Sequence, residues 1–145
     1  MAFMGIDGGG STLRVAVVDG ALVPLAVATR ATANPSVIGH EAAAALIQDA
    51  MREALAQTNA PVEAAAIGIA GASAAHSADW LLRVVREVLP DALIVPSTDL
   101  MIALVGAHGG LRDVMVLAGT GSVALAIDAQ GEPVPIDRAE EHLFG

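Results

Sequence analysis

The sequence predicts an α/β fold in which an antiparallel strand meander leads into two crossover units, giving a mixed five-stranded sheet with helices packed on it. Three observations carry this. The first thirty residues alternate like strands and are punctuated by glycine turns. From about Gly39 the apolar pattern changes to a helical period. Two short apolar runs, Ala64–Ala70 and Ala92–Pro96, interrupt the helical stretches and look like strands buried on both faces.

Each element follows in order. Phe3–Asp7 is an apolar run, and Gly8-Gly9-Gly10-Ser11 reads as a turn. Arg14–Asp19 alternates around Val15, Val17 and Val18, Asp19-Gly20 is a hairpin signal, and Leu22–Thr29 is a third strand. Hairpins this short force antiparallel pairing. Between Gly39 and Gln57 the residues Ile47, Met51, Ala54 and Leu55 share a helix face, stopped by Asn59-Ala60-Pro61. After Ala64–Ala70, Ser77 is an N-cap candidate for a helix with apolar positions Leu81, Val84, Val85 and Val88, ended by Pro90. Beyond Ala92–Pro96, Thr98 can cap a third helix to about Ala107, closed by Gly109-Gly110. Residues 1–110 thus read β-β-β-α-β-α-β-α, the ribonuclease-H-like order. Arg112–Ala118, the turn Gly119-Thr120-Gly121-Ser122 and Val123–Asp128 then repeat the opening strand–turn–strand pattern. The expected organisation is a first domain over 1–110 and the opening hairpin of a second, related domain over 111–145.

Composition narrows the function classes. The chain has 145 residues, 54% of them hydrophobic, with mean hydropathy +0.63. That is too apolar for a disordered segment. Alanine supplies much of it, and the apolar stretch Val114–Ile127 falls short of the roughly 20 residues that span a bilayer. Met1–Ile6 runs straight into Asp7 without a basic flank, so no targeting segment is read and a cytoplasmic, non-membrane chain is expected. The net charge of −9, with seven arginines and no lysine, argues against a nucleic-acid partner. Without lysine a Walker-type loop is excluded, and with no cysteines so are disulfides and zinc–thiolate sites.

Chemistry concentrates in a few places. In Asp7-Gly8-Gly9-Gly10-Ser11-Thr12, three glycines permit positive φ and close backbone approach, so that successive N–H groups can face an anion. Ser11 and Thr12 add hydroxyls, and Asp7 at the strand end can hold a metal through water. A plain glycine hairpin is the alternative. Ala118-Gly119-Thr120-Gly121-Ser122 has the same chemistry, and two such loops facing across a cleft would grip a polyphosphate without lysine. Asp99 stands where a buried strand meets a helix N-terminus, placed to accept a hydroxyl proton. Its alternative is an acidic first-turn residue favoured by the helix dipole. Asn34 lies in a loop that can equally be an Asn-Pro turn. His40, His76, His108 and His142 lack metal-ligand spacing, and Trp80 reads as helix packing.

Taken together, Gly5–Thr12, Asn34-Pro35-Ser36, Gly68–Ala72, Ser97-Thr98-Asp99 and Ala118–Ser122 resemble the BadF/BadG/BcrA/BcrD ATPase-type family. This group belongs to the superfamily of sugar kinases, actin and actin-like ATPases, and includes N-acetylglucosamine and glucosamine kinases. The resemblance covers nearly the whole chain. It implies ATP-dependent phosphoryl transfer to a sugar hydroxyl, with Asp99 as general base and Mg²⁺ held by Asp7 through water. The ATP phosphates would be gripped by Gly8, Gly9, Gly10, Ser11, Thr12, Gly119, Thr120, Gly121 and Ser122. Asn34, Ser36, Gly71, Ala72 and Asp99 would contact the sugar. The family usually has a small residue after this aspartate; here it is Leu100, which would reshape the pocket wall. The family's adenosine pocket and a further glycine-aspartate-glutamate-glycine loop lie beyond the portion resembled. The chain is therefore expected to be an N-terminal half, inactive alone, whose apolar surface meets the missing part and which forms a homo-oligomer, most simply a dimer. The alternatives are an ATPase that activates a dehydratase or reductase, weakened by the absence of cysteine, and a non-catalytic domain that binds an anion or partner.

Overall fold

The computed structural model describes residues 1–72, 74–98, 102, 113–118, 122–127, 130 and 133–134. The element order is β1 (Ala2–Gly8), β2 (Thr12–Asp19), β3 (Pro24–Ala31), α1 (Pro35–Ile38), α2 (His40–Ala56), β4 (Val62–Ile69), α3 (Ala74–Arg86) and β5 (Leu93–Pro96), followed by β6 (Asp113–Ala118), β7 (Ser122–Ile127) and β8 (Pro133–Val134). The chain divides into two compact units, Met1–Ile102 and Ala103–Gly145.

In the first unit the strands form one sheet in the order β3-β2-β1-β4-β5. β1, β2 and β3 pair antiparallel, while β1 with β4 and β4 with β5 pair parallel. This is the mixed five-stranded sheet that the sequence predicts. Its core face alternates as a half-covered sheet requires: Met4 and Ile6, Leu13, Val15 and Val17, Ala26 and Ala28, Ala65, Ile67 and Ile69 are buried. Ile47, Ala50, Met51 and Ala54 of α2, with Leu81, Val84 and Val85 of α3, complete that core. The helical spacing read from sequence therefore picks out the buried faces of both helices, with Leu55 at the margin; the second helix ends at Arg86, earlier than the expected Pro90, so Val88 packs from the turn beyond it.

The expected two-faced burial of Ala64–Ala70 does not hold in full. Ala64 and Ala66 are only half-buried, and they belong to a second sheet face whose row Val27, Ala16, Gly5, Ala66 and Val95 follows from the pairing register. Val27 and Val95 on that row are 45% and 48% exposed. Small apolar residues pack equally well under one layer or two, so composition alone does not separate the cases.

Three local differences have clear causes. The β2–β3 connection is longer than a two-residue hairpin, because the Asp19 carboxylate accepts the backbone N–H groups of Ala21 and Val23 at 2.8 and 2.9 Å. This puts Leu22, not Gly20, in the left-handed region (φ 64°) and delays β3 to Pro24. A one-turn helix, α1, forms where a loop is expected. Helix α3 starts at Ala74, ahead of Ser77, whose dihedrals (φ −129°, ψ 15°) break the helical run at the position read as its cap.

At the β3 edge, Arg30 is anchored to α2 by Asp49 at 2.9 Å and by Glu53. These hydrogen bonds, first to Asp49 and then to Glu53, raise the guanidinium pKa above its ordinary value. Of the expected third helix, the described part is one bond, from the Ile102 N–H to the Thr98 carbonyl at 3.1 Å. In the second unit β6, β7 and β8 form an antiparallel sheet in that order. β8 adds a strand where the sequence carries only weak signals. No helix among the described residues is long and apolar enough to cross a membrane.

Candidate functional site

Parallel pairing of β1, β4 and β5 sends their carboxyl ends to one edge of the sheet, where Gly8 registers with Ile69 and Ile67 with Pro96. Antiparallel β2 begins at that edge and β3 ends there, because Thr12 pairs with Ala31. The loop after β1, the segment after β3 and the turns after β4 and β5 therefore converge by topology alone. In open α/β sheets this is where ligands bind.

The β1–β2 hairpin is tight. Gly8 pairs with Leu13, and the Gly9 N–H donates to the Thr12 carbonyl at 3.0 Å, leaving Gly9-Gly10-Ser11 as the loop. Gly10, Ser11 and Thr12 are exposed. Gly8 is a buried strand residue, not a turn residue, and its carbonyl accepts the Ala70 N–H at 2.6 Å. A Cβ built on Gly8 would lie 2.7 Å from Ile69 Cδ1, so this glycine leaves room for the buried Ile69 side chain on β4. Neither Gly8 nor Gly9 takes a positive φ. Asp7 is half-buried at the end of β1, registered between Arg14 of β2 and Gly68 of β4. Arg14 is the residue directly opposite Asp7 on β2. Arg14 has no distinctive sequence signal; only the register nominates it.

Asn34 and Gly71 form the best-defined part of the edge. Asn34 is the N-cap of α1: its Oδ1 accepts the Ser36 N–H at 2.9 Å, and Pro35 follows at the first helical position. Its own N–H donates to Thr32 Oγ1 at 3.1 Å. Gly71 has φ 81°, and a Cβ built on it would lie 2.0 Å from Asn34 Oδ1. The amide of Asn34 thus occupies the space that a side chain at position 71 would need. Ala72 is buried and its N–H closes the turn onto the Ile69 carbonyl at 3.0 Å. Ser36 is exposed, with its backbone N–H committed to Asn34. Among the described residues the Asn34 Nδ2 group makes no hydrogen bond. Loss of the Asn-Pro loop reading is informative: the cap residue followed by proline is a helix-start signature that a four-residue helix is too short to support with periodicity.

At the end of β5 the Ser97 N–H donates to the Ile67 carbonyl at 2.7 Å, and Ser97 and Thr98 are half-buried. Asp99 lies outside the described residues, as do Gly119, Thr120 and Gly121. Ser122 opens β7 opposite Ala118, the pairing that flanks the second glycine loop in sequence. Among the described residues no three His, Asp or Glu side chains cluster as a metal cage. A separate cleft of about 520 Å³ lies between α2 and α3, lined by His40, His76, Ser77, Asp79, Trp80 and Arg83. There the rings of His40 and Trp80 meet edge-on at 5.0 Å, in keeping with Trp80 as a packing residue.

Comparison with solved structures gives three similar chains. A protein from Chromobacterium violaceum named as an N-acetylglucosamine kinase is 27% identical, with TM-score 0.63, covering 92% of this chain and 47% of that one. A ROK family glucokinase from Streptomyces griseus, in complex with glucose and AMPPNP, is 24% identical with TM-score 0.66, over 92% and 46% of the two chains. The ethanolamine utilization protein EutJ from Carboxydothermus hydrogenoformans is 18% identical with TM-score 0.66, over 93% and 50%. The last two show the fold alone. The chain spans about half the length of these solved relatives. No curated protein matches it. A family model matches residues 4–141, and on that match the chain belongs to the BadF/BadG/BcrA/BcrD ATPase family.

Proposed function

We propose that this chain carries the sugar-binding and first phosphate-binding segments of an ATP-dependent kinase acting on N-acetylglucosamine or glucosamine. The observation that carries the reading is the convergence, on one sheet edge, of the Gly9–Ser11 loop, the Asn34–Gly71 contact and the end of β5 that leads into Asp99. Membership of an ATPase family supports the nucleotide, and similarity to the Chromobacterium protein supports an amino sugar.

In this reading Gly10, Ser11 and Thr12 present backbone and hydroxyl donors to the ATP phosphates, Gly9 closes the turn through its bond to the Thr12 carbonyl, and Gly8 joins the loop to β4. Gly119, Thr120, Gly121 and Ser122 supply the second grip. Asn34 donates from Nδ2 to a sugar hydroxyl oxygen, with Ser36, Gly71 and Ala72 forming the wall beside it. Asp99 accepts the proton of the attacking hydroxyl as its oxygen bonds to the γ-phosphorus and the bond to the bridging oxygen of ADP breaks. Asp7, a hard oxygen donor beside the loop, fits a water-mediated Mg²⁺, whose chemistry when bound is to neutralise charge on the phosphates. A cytoplasmic location and a dimeric state complete the proposal, as does inactivity of the 145-residue chain by itself. The lack of cysteine in this chain favours the kinase over a cluster-bearing dehydratase activator.

Calorimetric titration of the purified chain tests this directly. N-acetylglucosamine or glucosamine should bind, and Asn34→Ala should weaken that binding about tenfold, the loss of one good hydrogen bond. ATP with Mg²⁺ should bind separately, and Asp7→Asn should weaken it without affecting the sugar. In a kinase assembled from all its segments, Asp99→Asn should lower turnover by about 10²- to 10⁴-fold with the sugar still bound. Failure of either sugar to bind at millimolar concentration refutes the substrate assignment.

A further inference from the structure

The Gly10–Thr12 segment offers backbone N–H groups and hydroxyls but no cation of its own: Asp7 beside it is an acid, and the sequence has no lysine. A nucleotide's phosphate chain carries several negative charges, so a site there needs a counter-charge from another element. Five arginines lie among the described residues, and four of them stand apart from the loop. Arg30, on the helix-covered side of β3, is held by Asp49 and Glu53. Helices α2 and α3 begin at the carboxyl edge of the sheet and run away from it, which carries Arg52, Arg83 and Arg86, in their second halves, toward the opposite edge. Arg14 is left. It lies two residues beyond Thr12 on β2, so the strand rise sets it only roughly 7 Å further from the loop. Leu13 and Val15 on either side of it are buried in the core while Arg14 is exposed, so its side chain leaves the sheet on the face opposite α2 and α3. The same alternation puts Thr12 and Asp7 on that face. Among the described residues the Arg14 guanidinium makes no ion pair.

We propose that Arg14 is the cation of the phosphate site, its guanidinium donating to oxygens of the terminal phosphates of ATP while Gly10, Ser11 and Thr12 donate from the loop. It takes the part that lysine plays in lysine-bearing phosphate loops. This inference rests on the phosphate reading above and adds to it a residue on the strand rather than in the loop. A planar guanidinium can give two parallel N–H bonds to one phosphate, which a point-charge ammonium cannot, so the position distinguishes arginine from lysine. Positive charge then has two sources, Arg14 and the Mg²⁺ fitted to Asp7. Loss of Arg14 therefore weakens phosphate binding without abolishing it.

Calorimetric titration with Mg²⁺–ATP, and with Mg²⁺–tripolyphosphate as a probe that needs no adenosine pocket, tests this on the parent chain, Arg14→Gln, Arg14→Lys and Asp7→Asn. Arg14→Gln should weaken both ligands about tenfold or more, the loss of a charge-assisted hydrogen-bonded pair. Arg14→Lys should recover only part of that loss. Added salt should weaken binding to the parent more steeply than binding to Arg14→Gln, because the variant has one charge contact fewer to screen. Circular dichroism and the thermal midpoint should match the parent, as expected at an exposed strand position. If Asp7→Asn weakens Mg²⁺–ATP while Arg14→Gln leaves affinity and salt dependence unchanged, the phosphate reading stands and the role of Arg14 falls. A loss of affinity that merely tracks a lowered melting midpoint overturns that role as well. Binding of neither ligand by the parent overturns the phosphate reading and this inference together.

Discussion

Substitution of Gly71 by alanine puts the Asn34–Gly71 contact to a quantitative test. Two costs are separable. At φ 81° an L-residue occupies the left-handed region, at a cost of about 1–2 kcal/mol. The new Cβ would also lie 2.0 Å from Asn34 Oδ1, so the amide must move and its bond to the Ser36 N–H is lost, a further ~1 kcal/mol. The sum is about 2–3 kcal/mol of unfolding free energy, readable from urea denaturation as a lower midpoint with an unchanged slope. Asn34→Ala removes the obstacle and costs about 1 kcal/mol as a lost helix cap. In that background Gly71→Ala should cost only its backbone component, about 1–2 kcal/mol. The double-mutant cycle therefore predicts a coupling of about 1 kcal/mol, against the ~0.3–0.5 kcal/mol within which independent sites add. An equal cost of Gly71→Ala in both backgrounds would refute the steric reading, and no cost in either would refute the turn geometry as well.

Other substitutions probe the scaffold of the same edge. Gly8→Ala should destabilise by about 1–3 kcal/mol through the 2.7 Å approach to Ile69 Cδ1, and Ile69→Val, which deletes that atom, should recover part of the loss in thermal melts. Leu22→Gly should stabilise or leave stability unchanged, because relief of the left-handed strain at φ 64° (about 1–2 kcal/mol) offsets the added freedom of the unfolded chain; a clear loss in the same urea assay would contradict it. Met51→Ala, at a fully buried position between α2 and the sheet, should cost about 2–5 kcal/mol, and a value under 1 kcal/mol would mean the site collapses or is not packed as described.

Much of this architecture is legible in the sequence, and the reason differs by element. Helix α2 shows itself because Ile47, Met51 and Ala54 recur on one face, and burial follows period. The opening meander shows itself because short glycine turns leave antiparallel pairing as the only option. What escapes is set by contacts between distant residues or by very short elements. Helix α1 has four residues, too few for any period, although Asn34-Pro35 marks its start. The role of Gly8 depends on Ile69, and that of Gly71 on Asn34, so neither requirement can be seen until strand pairing brings the partners together. The same holds for Gln57, an ordinary residue at a helix end until it is found on the backbone of Val27. For Asn34 the structure replaces the Asn-Pro turn with a helix cap, a role visible only once α1 is known to follow.

The parallel pairing of β1 with β4 has a consequence for how the chain acquires its shape. Ala2 and Val62 are partners, so the central strand of the sheet waits for about sixty further residues before its second neighbour exists. The hairpins on its other side need only short loops, and closing a long loop is slower and costs more chain entropy. Synthesis from the N-terminus therefore yields a three-stranded ribbon first, with one flank of β1 unpaired until β4 emerges. The turn after β4 holds Gly71, whose contact with Asn34 completes the proposed sugar wall. The binding edge is thus assembled only after the sheet closes, and conditions that slow the docking of β4 should delay ligand binding more than they delay formation of the meander.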